Sequence, residues 1–223
     1  SRYILDFVLF GKKTDKLKEV PIKDNGKKNV LMYLGNLDQN GITTSGVNLL
    51  NSLDTSECNY YVSFPADKAK NHQDTIANLP EGVNYFPIQG IFNLPHMKMK
   101  IWHRFNKRKF PLKLMMKIMG KEWQYEIQRI YGGIRVDNAI QFNGYETKII
   151  LLYSQFNCNT SIYVHSDMAK EIELKDNQRK DVLGYAYKVY DNVALVTEDI
   201  KESTARFVKK TDNFKIARNI IAY

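Results

Sequence analysis

Short apolar runs bounded by turn residues alternate along this chain with segments whose apolar positions recur every three or four residues. The runs are Val30–Leu34, Asn59–Phe64 (stopped by Pro65), Gly82–Ile88 (with Pro87 near its end), Val136–Phe142, Ser161–Val164 and Asn192–Thr197. Between them, a three-and-four spacing predicts helices starting ahead of Val47, Leu49, Leu50 and Leu53, and then over Asp67–Asn78, Gly144–Phe156, Lys180–Tyr190 and Ile200–Val208. Strand and helix taking turns in this way is the mark of an α/β protein: a parallel sheet with right-handed crossovers and helices on both faces. Ahead of the first strand, Tyr3–Phe10 is an apolar patch. Gly11–Lys28 is lysine-rich, carries Pro21 and Gly26 and lacks periodicity, so residues 1–28 are read as a patch and linker and 29–223 as the folded domain.

One stretch interrupts the rhythm. Met97, Ile101 and Phe105 share a helical face before Pro111. After it Leu112, Met115, Met116 and Met119 share another, opposite Lys113, Lys117 and Lys121, and Glu122–Tyr131 continues to a Gly132-Gly133 stop. This predicts two cationic amphipathic helices, an insertion over 96–121.

Charge sharpens that picture. The net charge of +9 is carried by Lys98, Lys100, Arg104, Lys107, Arg108, Lys109, Lys113, Lys117 and Lys121, with no acid among them. Removing these nine from the 33 Lys and Arg leaves as many cations as the 24 Asp and Glu. With Trp102, Phe105 and Phe110 interleaved, the segment is expected to lie on an anionic membrane surface through Lys98, Lys100, Trp102, Arg104, Lys107, Arg108, Lys113, Lys117 and Lys121. A helical insertion with merely solvated lysines is the alternative. Nucleic acid is disfavoured as a partner, since no recognised motif accompanies the charge.

The rest of the composition is that of an ordinary soluble globular chain: 223 residues, 43% hydrophobic and 26% charged. No apolar run approaches the ~18 residues that cross a bilayer. Tyr3–Phe10 is broken by Asp6 and makes a poor signal peptide. Cys58 and Cys158 are far apart and outside any metal-like cluster, so two reduced thiols, no metal and a cytoplasmic setting are expected.

In open α/β sheets, ligands gather at the carboxyl ends of the strands. The candidate binding residues are therefore those that follow the apolar runs. Gly35, Asn36, Gly41, Thr43, Thr44 and Ser45 follow the first, with any of the three hydroxyls available to cap the next helix; its N-terminus would suit a phosphate or sugar. Gly144 and Tyr145 follow the fourth, His165 and Asp167 the fifth, and Glu198 the sixth. His165 is the most informative, because an imidazole exchanges protons near neutral pH and can hold a hydroxyl. Asp167 fits a helix cap as well as a base, and Glu198 favours a helix start electrostatically. The spacing is not G-x-G-x-x-G, so a nicotinamide or flavin cofactor is not expected. No P-loop, paired-carboxylate or Ser-His-Asp pattern points to a hydrolase.

Taken in order, the motifs resemble a known family. GNLDQNGITTSGVNLLNSLD is similar to the first loop and helix of GT-B glycosyltransferases of the retaining, family 4-like kind, although Asn36 and Thr43-Thr44-Ser45 stand where members carry more glycine. IYVHSDMAKE resembles the family's strand ending in a histidine loop. YDNVALVTEDIKES resembles its Y-D-x-V segment, and NIIAY the hinge to a second domain. The resemblance implies a Rossmann-like amino-terminal, acceptor-side half, with the donor-binding domain expected beyond Tyr223. It also implies transfer of a sugar from a nucleotide-sugar donor with no obligatory metal or cofactor. Gly35 and Gly41 would lie near donor phosphate or acceptor, and His165 beside the reacting sugar. The basic segment fits bacterial members that work at the inner membrane face on lipid-linked or anionic polymer acceptors, teichoic acid or capsule precursors among them. The alternative from another class is a non-catalytic membrane- or polymer-binding module joined to a glycerophosphotransferase or a similar enzyme.

Overall fold

A computed structural model describes residues 25–88, 90, 92–132 and 135–220. The apolar patch at Tyr3–Phe10, most of the linker after it and the last three residues of NIIAY lie outside the described residues. One compact unit takes in Ile22–Ile88 and Arg135–Tyr223, and another Gln89–Ile134.

The first unit is built on seven parallel strands: β1 (Lys28–Tyr33), β2 (Cys58–Pro65), β3 (Asn84–Ile88), β4 (Asn138–Gln141), β5 (Asn159–Val164), β6 (Asn192–Leu195) and β7 (Phe214–Ile216). Their order is β3-β2-β1-β4-β5-β6-β7. The chain builds outward from β1 to β3, then returns to lay β4 against the other side of β1, where Tyr33 pairs with Gln141. The point where the order reverses therefore lies between β1 and β4.

The helices of this unit are α1 (Gly41–Ser52), α2 (Ala66–Ala69) and α3 (Gln73–Ala77), followed by α6 (Thr147–Tyr153), α7 (Met168–Lys175), α8 (Lys180–Val189) and α9 (Lys201–Ala205). Strand alternation sends side chains to both faces. Met32, Leu34, Val62, Phe64 and Phe142 form one apolar cluster with Leu50 of α1, while Val47, Leu49 and Leu53 pack partly buried against it. The α6 segment IILLY is fully buried, and the Tyr190 hydroxyl donates to the Ile150 carbonyl at 2.7 Å.

Several expected elements differ from the structure. The helix expected over Asp67–Asn78 is two short ones, since the backbone leaves the helical path at His72 (φ −128°, ψ 44°). The helix expected from Gly144 begins at Thr147, because Gly144 has φ +74° and Tyr145 is bonded through its N–H to the Asn143 side chain. The helix expected over Ile200–Val208 is a 3-10 turn at Glu198–Ile200 followed by α9. No apolar run predicts β7: three residues carry too little pattern, and Phe214–Ile216 is a strand only because β6 offers it an edge.

The second unit holds α4 (His96–Asn106) and α5 (Leu112–Tyr131), separated at Lys107–Pro111. Its interior is aromatic. Phe92 meets Trp102 at 4.9 Å and Trp123 at 5.1 Å, both edge-on, and Phe105 and Met115 are fully buried. A buried ion pair sits among them: Arg129 Nη2 donates to Glu126 Oε2 at 2.9 Å and to the Gly90 carbonyl at 2.8 Å, and the Phe92 N–H reaches the same carboxylate.

Two expectations about the basic segment are corrected here. Trp102 is 7% exposed and belongs to the aromatic interior, so it does not reach a lipid headgroup. Lys98 is half-buried and bonded to the buried Glu122. Lys100, Arg104, Lys107, Arg108, Lys113, Lys117 and Lys121 are exposed.

Candidate functional site

Because all seven strands run parallel, the loops after β1, β4, β5 and β6 leave the same rim. Three of them touch. A side chain added at Gly35 (φ +86°) would stand 2.4 Å from Asn143 Nδ2, and one added at Gly144 would stand 2.4 Å from the Tyr163 carbonyl. Both glycines are needed twice over, for the left-handed backbone and for close approach. Gly41 differs: it is the first residue of α1, and a Cβ there meets open space.

The α1 cap is Asn40, whose Oδ1 accepts from the N–H groups of Ile42 at 2.9 Å and Thr43 at 3.0 Å. This corrects the expectation that Thr43, Thr44 or Ser45 caps the helix. Gly41 already adopts the helical path, which places all three hydroxyls inside the first turns. Thr43 and Ser45 are buried and Thr44 is exposed, and both threonines line a cavity of about 610 Å³. That cavity is lined by Gln39, Asn40, Asn48, Asn51 and Asn78, with Asp74 the one charged group.

His165 packs its ring on Phe142 at 4.8 Å and stacks on Tyr163 at 5.8 Å. Its Nε2 lies 2.6 Å from the Phe142 carbonyl, which can only accept, so Nε2 carries the proton and Nδ1 the lone pair. Nδ1 is buried with no partner among the described residues. Burial holds the imidazole pKa below its usual value, against the smaller opposing effect of the carbonyl bond. His165 is thus a neutral hydrogen-bond acceptor at the strand rim.

The neighbouring candidates are engaged. Asp167 is the α7 cap, accepting from Ala169 N–H at 3.1 Å and Lys170 N–H at 3.2 Å. Partial burial works against ionisation, but these bonds, the Ser203 hydroxyl and Lys170 together hold its carboxyl below the usual range. Tyr145 shares a 2.6 Å hydrogen bond between its hydroxyl and that of Ser166. Glu198 is exposed at the start of the 3-10 turn and pairs with Lys201 at 3.1 Å, a helix-start role. Asn36 is half-buried in the β1 loop.

Sequence reasoning missed Gln141 and Glu146. Gln141 is fully buried at the end of β4. Its Oε1 accepts from the Gly144 N–H, and its Nε2 has no partner among the described residues. Glu146 accepts a 2.7 Å hydrogen bond from the buried Tyr33 hydroxyl, and burial raises its carboxyl pKa, with Tyr33, Lys148 and Lys68 pulling it down and Asp38 adding to the rise. Raised carboxylates at a strand rim are functional candidates. A strand-final amide and a carboxylate five residues later follow no motif, so only the fold unites them.

Among the described residues no group of three or more His, Cys, Asp and Glu could hold a metal ion, and no helix is long and apolar enough to cross a membrane. Cys58 and Cys158 are free and half-buried, and burial raises the Cys158 thiol pKa to about 11.

The fold and rim define a Rossmann-like α/β protein. No family model matches the chain, and no curated protein matches it. Among solved structures it is similar to HepE of Anabaena, determined in complex with UDP and glucose. The identity is 12% and the TM-score 0.45, over 85% of this chain and 44% of that one, so the chain spans less than half of that protein's length.

Proposed function

We propose that this chain is the acceptor-side half of a glycosyltransferase that moves a sugar from a nucleotide-sugar donor to a membrane-associated or anionic polymer acceptor of the teichoic acid or capsule type. The observation that carries the reading is the rim itself. At the point where strand order reverses, the β1, β4 and β5 loops are locked together, and a neutral His165 carries a buried acceptor atom with no partner among the described residues. That atom suits a sugar hydroxyl, which must donate to it. The amide- and hydroxyl-lined cavity beside α1 supports the same ligand chemistry, since neutral amides both donate to and accept from hydroxyls at little desolvation cost.

In this reading Gly35, Gly41, Thr43, Thr44 and Gly144 border the donor phosphate or acceptor. His165 orients a hydroxyl next to the reacting carbon, and Asp167 fixes the loop that carries the imidazole. The exposed cations of α4 and α5 hold the protein at the anionic inner face of the membrane. The test is His165→Ala in the intact gene product, assayed with a panel of nucleotide sugars and lipid-linked acceptors. Turnover is expected to fall by ~100-fold or more, the loss typical of one positioned polar group, with little change in melting temperature. Parallel loss of both would make the histidine structural and remove the proposal's main support.

A further inference from the structure

At the opposite rim from His165, where the chain enters β6 and β7, lies a cavity of about 870 Å³ bounded by the end of α8 and the segment between α9 and β7. Its origin is local. Gly184 lets α8 approach that segment so closely that a Cβ would come within 2.9 Å of the Phe207 carbonyl, and Tyr187 meets the Phe207 ring edge-on at 5.7 Å. Val189, Phe207 and Val208, all partly exposed, give the cavity an apolar wall.

Four cations stand around it: Lys188, Arg206, Lys209 and Lys210. Basic residues near the ends of helices often serve only the terminal carbonyls. Here that need is met otherwise. Asn213 Nδ2 donates to the Tyr187 carbonyl at 3.0 Å and the Tyr190 carbonyl at 2.8 Å, and the Tyr190 N–H closes on Ala186. Two carboxylates also line the cavity, but Asp191 is committed to the N–H and hydroxyl of Thr160 at 2.8 and 2.9 Å. Four cations against these two carboxylates leave the cavity with an excess of positive charge, and none of the four cationic side chains has an ion-pair or hydrogen-bond partner among the described residues.

We infer that this cavity is a binding site for a soluble organic phosphate, an anion carrying an apolar or aromatic body. The unpaired cations supply charge-assisted hydrogen bonds to the phosphate oxygens, with Arg206 able to bind two at once. The Val189–Phe207–Val208 wall takes the apolar part, and the volume falls in the range of small-molecule sites. The inference is independent of the sugar-transfer reading, since no residue of the β1, β4 or β5 loops enters it.

Phenyl phosphate is a suitable probe, titrated into the full chain and followed by calorimetry. It is expected to bind, and inorganic phosphate to bind about tenfold more weakly for want of the apolar wall, a difference of ~1.4 kcal/mol. The Arg206→Gln/Lys209→Gln double variant, at exposed positions, is expected to keep its melting temperature and lose affinity for phenyl phosphate by at least ~10-fold. Lys113→Gln/Lys117→Gln/Lys121→Gln, altered on α5, is expected to keep it. Unchanged binding in the double variant overturns the inference, as does equal binding of the two phosphates. Recruitment to phosphatidic acid vesicles that depends on Arg206 and Lys209 while phenyl phosphate fails to bind would also overturn it, by assigning the cations to a lipid headgroup.

Discussion

The chemistry at His165 is set by one carbonyl. Because the Phe142 oxygen can only accept, it fixes the proton on Nε2 and leaves Nδ1 as an acceptor with no partner among the described residues. Burial lowers the imidazole pKa from its usual 6.5, so an NMR titration of the ring should give a midpoint below that value; a midpoint above it would mean a charged donor and a different ligand. The sign for stability follows. The unfolded chain takes up this proton first, so the contribution of the neutral ring is full above about pH 6.5 and is lost as pH falls below it. Glu146 behaves in the opposite sense. Its folded carboxyl keeps its proton to higher pH than the unfolded one, so stability declines as pH rises from below the usual 4.5 through the raised folded value. Glu146→Gln keeps an acceptor for the Tyr33 hydroxyl and removes the buried charge. Denaturant melts should therefore show it more stable than the natural protein at pH 7, with the gain vanishing below pH 4.5. A variant equally or less stable at pH 7 would mean that the carboxylate is fully compensated where it sits. Gly41→Ala separates ligand from fold: its Cβ meets open space, so stability should hold, and any loss of sugar transfer would mark a ligand passing over that position.

Helix α1 shows how a local pattern can be right about an element and wrong about its first residue. Three hydroxyls ahead of an apolar stripe look like a cap, yet Asn40 is the better one because its side chain reaches two N–H groups at once while Gly41 continues into the helix. Asn40→Ala should cost ~1 kcal/mol in chemical denaturation, whereas removing the exposed Thr44 hydroxyl should cost less than ~0.5 kcal/mol. Strands β1 to β6 were legible because each is a short apolar run with turn residues at its ends, and a buried parallel strand needs nothing more. What could not be read were elements decided by distant partners. β7 exists through its pairing with β6, and the loop that delays α6 to Thr147 is held by the Gln141 and Asn143 side chains. The site divides along the same line. His165 stands out as the one imidazole directly after a strand, whereas Gln141 and Glu146 gain meaning only once β4 is set beside β1 and Tyr33 is brought to the carboxylate.

At the scale of the whole molecule, alternation of strands and helices fixes a parallel sheet but not its order, and it is the order that puts the β1 and β4 loops side by side. Charge, by contrast, was visible from the outset as one basic segment in an otherwise balanced chain, and burial now divides that segment in two. Trp102 and Phe105 are interior, so neither supplies the aromatic anchoring expected of an interfacial helix, and Lys98 is tied to Glu122. What remains exposed is charge: Lys100, Arg104 and Lys107 on and after α4, and Lys113, Lys117 and Lys121 along α5. The membrane attachment proposed above would in this form be electrostatic, worth ~1 kcal/mol per cation near an anionic surface. Replacing Lys113, Lys117 and Lys121 by Gln should thus weaken partitioning onto phosphatidylserine vesicles by roughly 100-fold, with the melting temperature unchanged because all three side chains are solvent-exposed. Raised salt should have the same effect on the natural protein, since screening shortens the reach of the field. Zwitterionic vesicles should bind neither form. Partitioning that survives both the triple replacement and high salt would require apolar insertion, for which Trp102 is already committed to the interior.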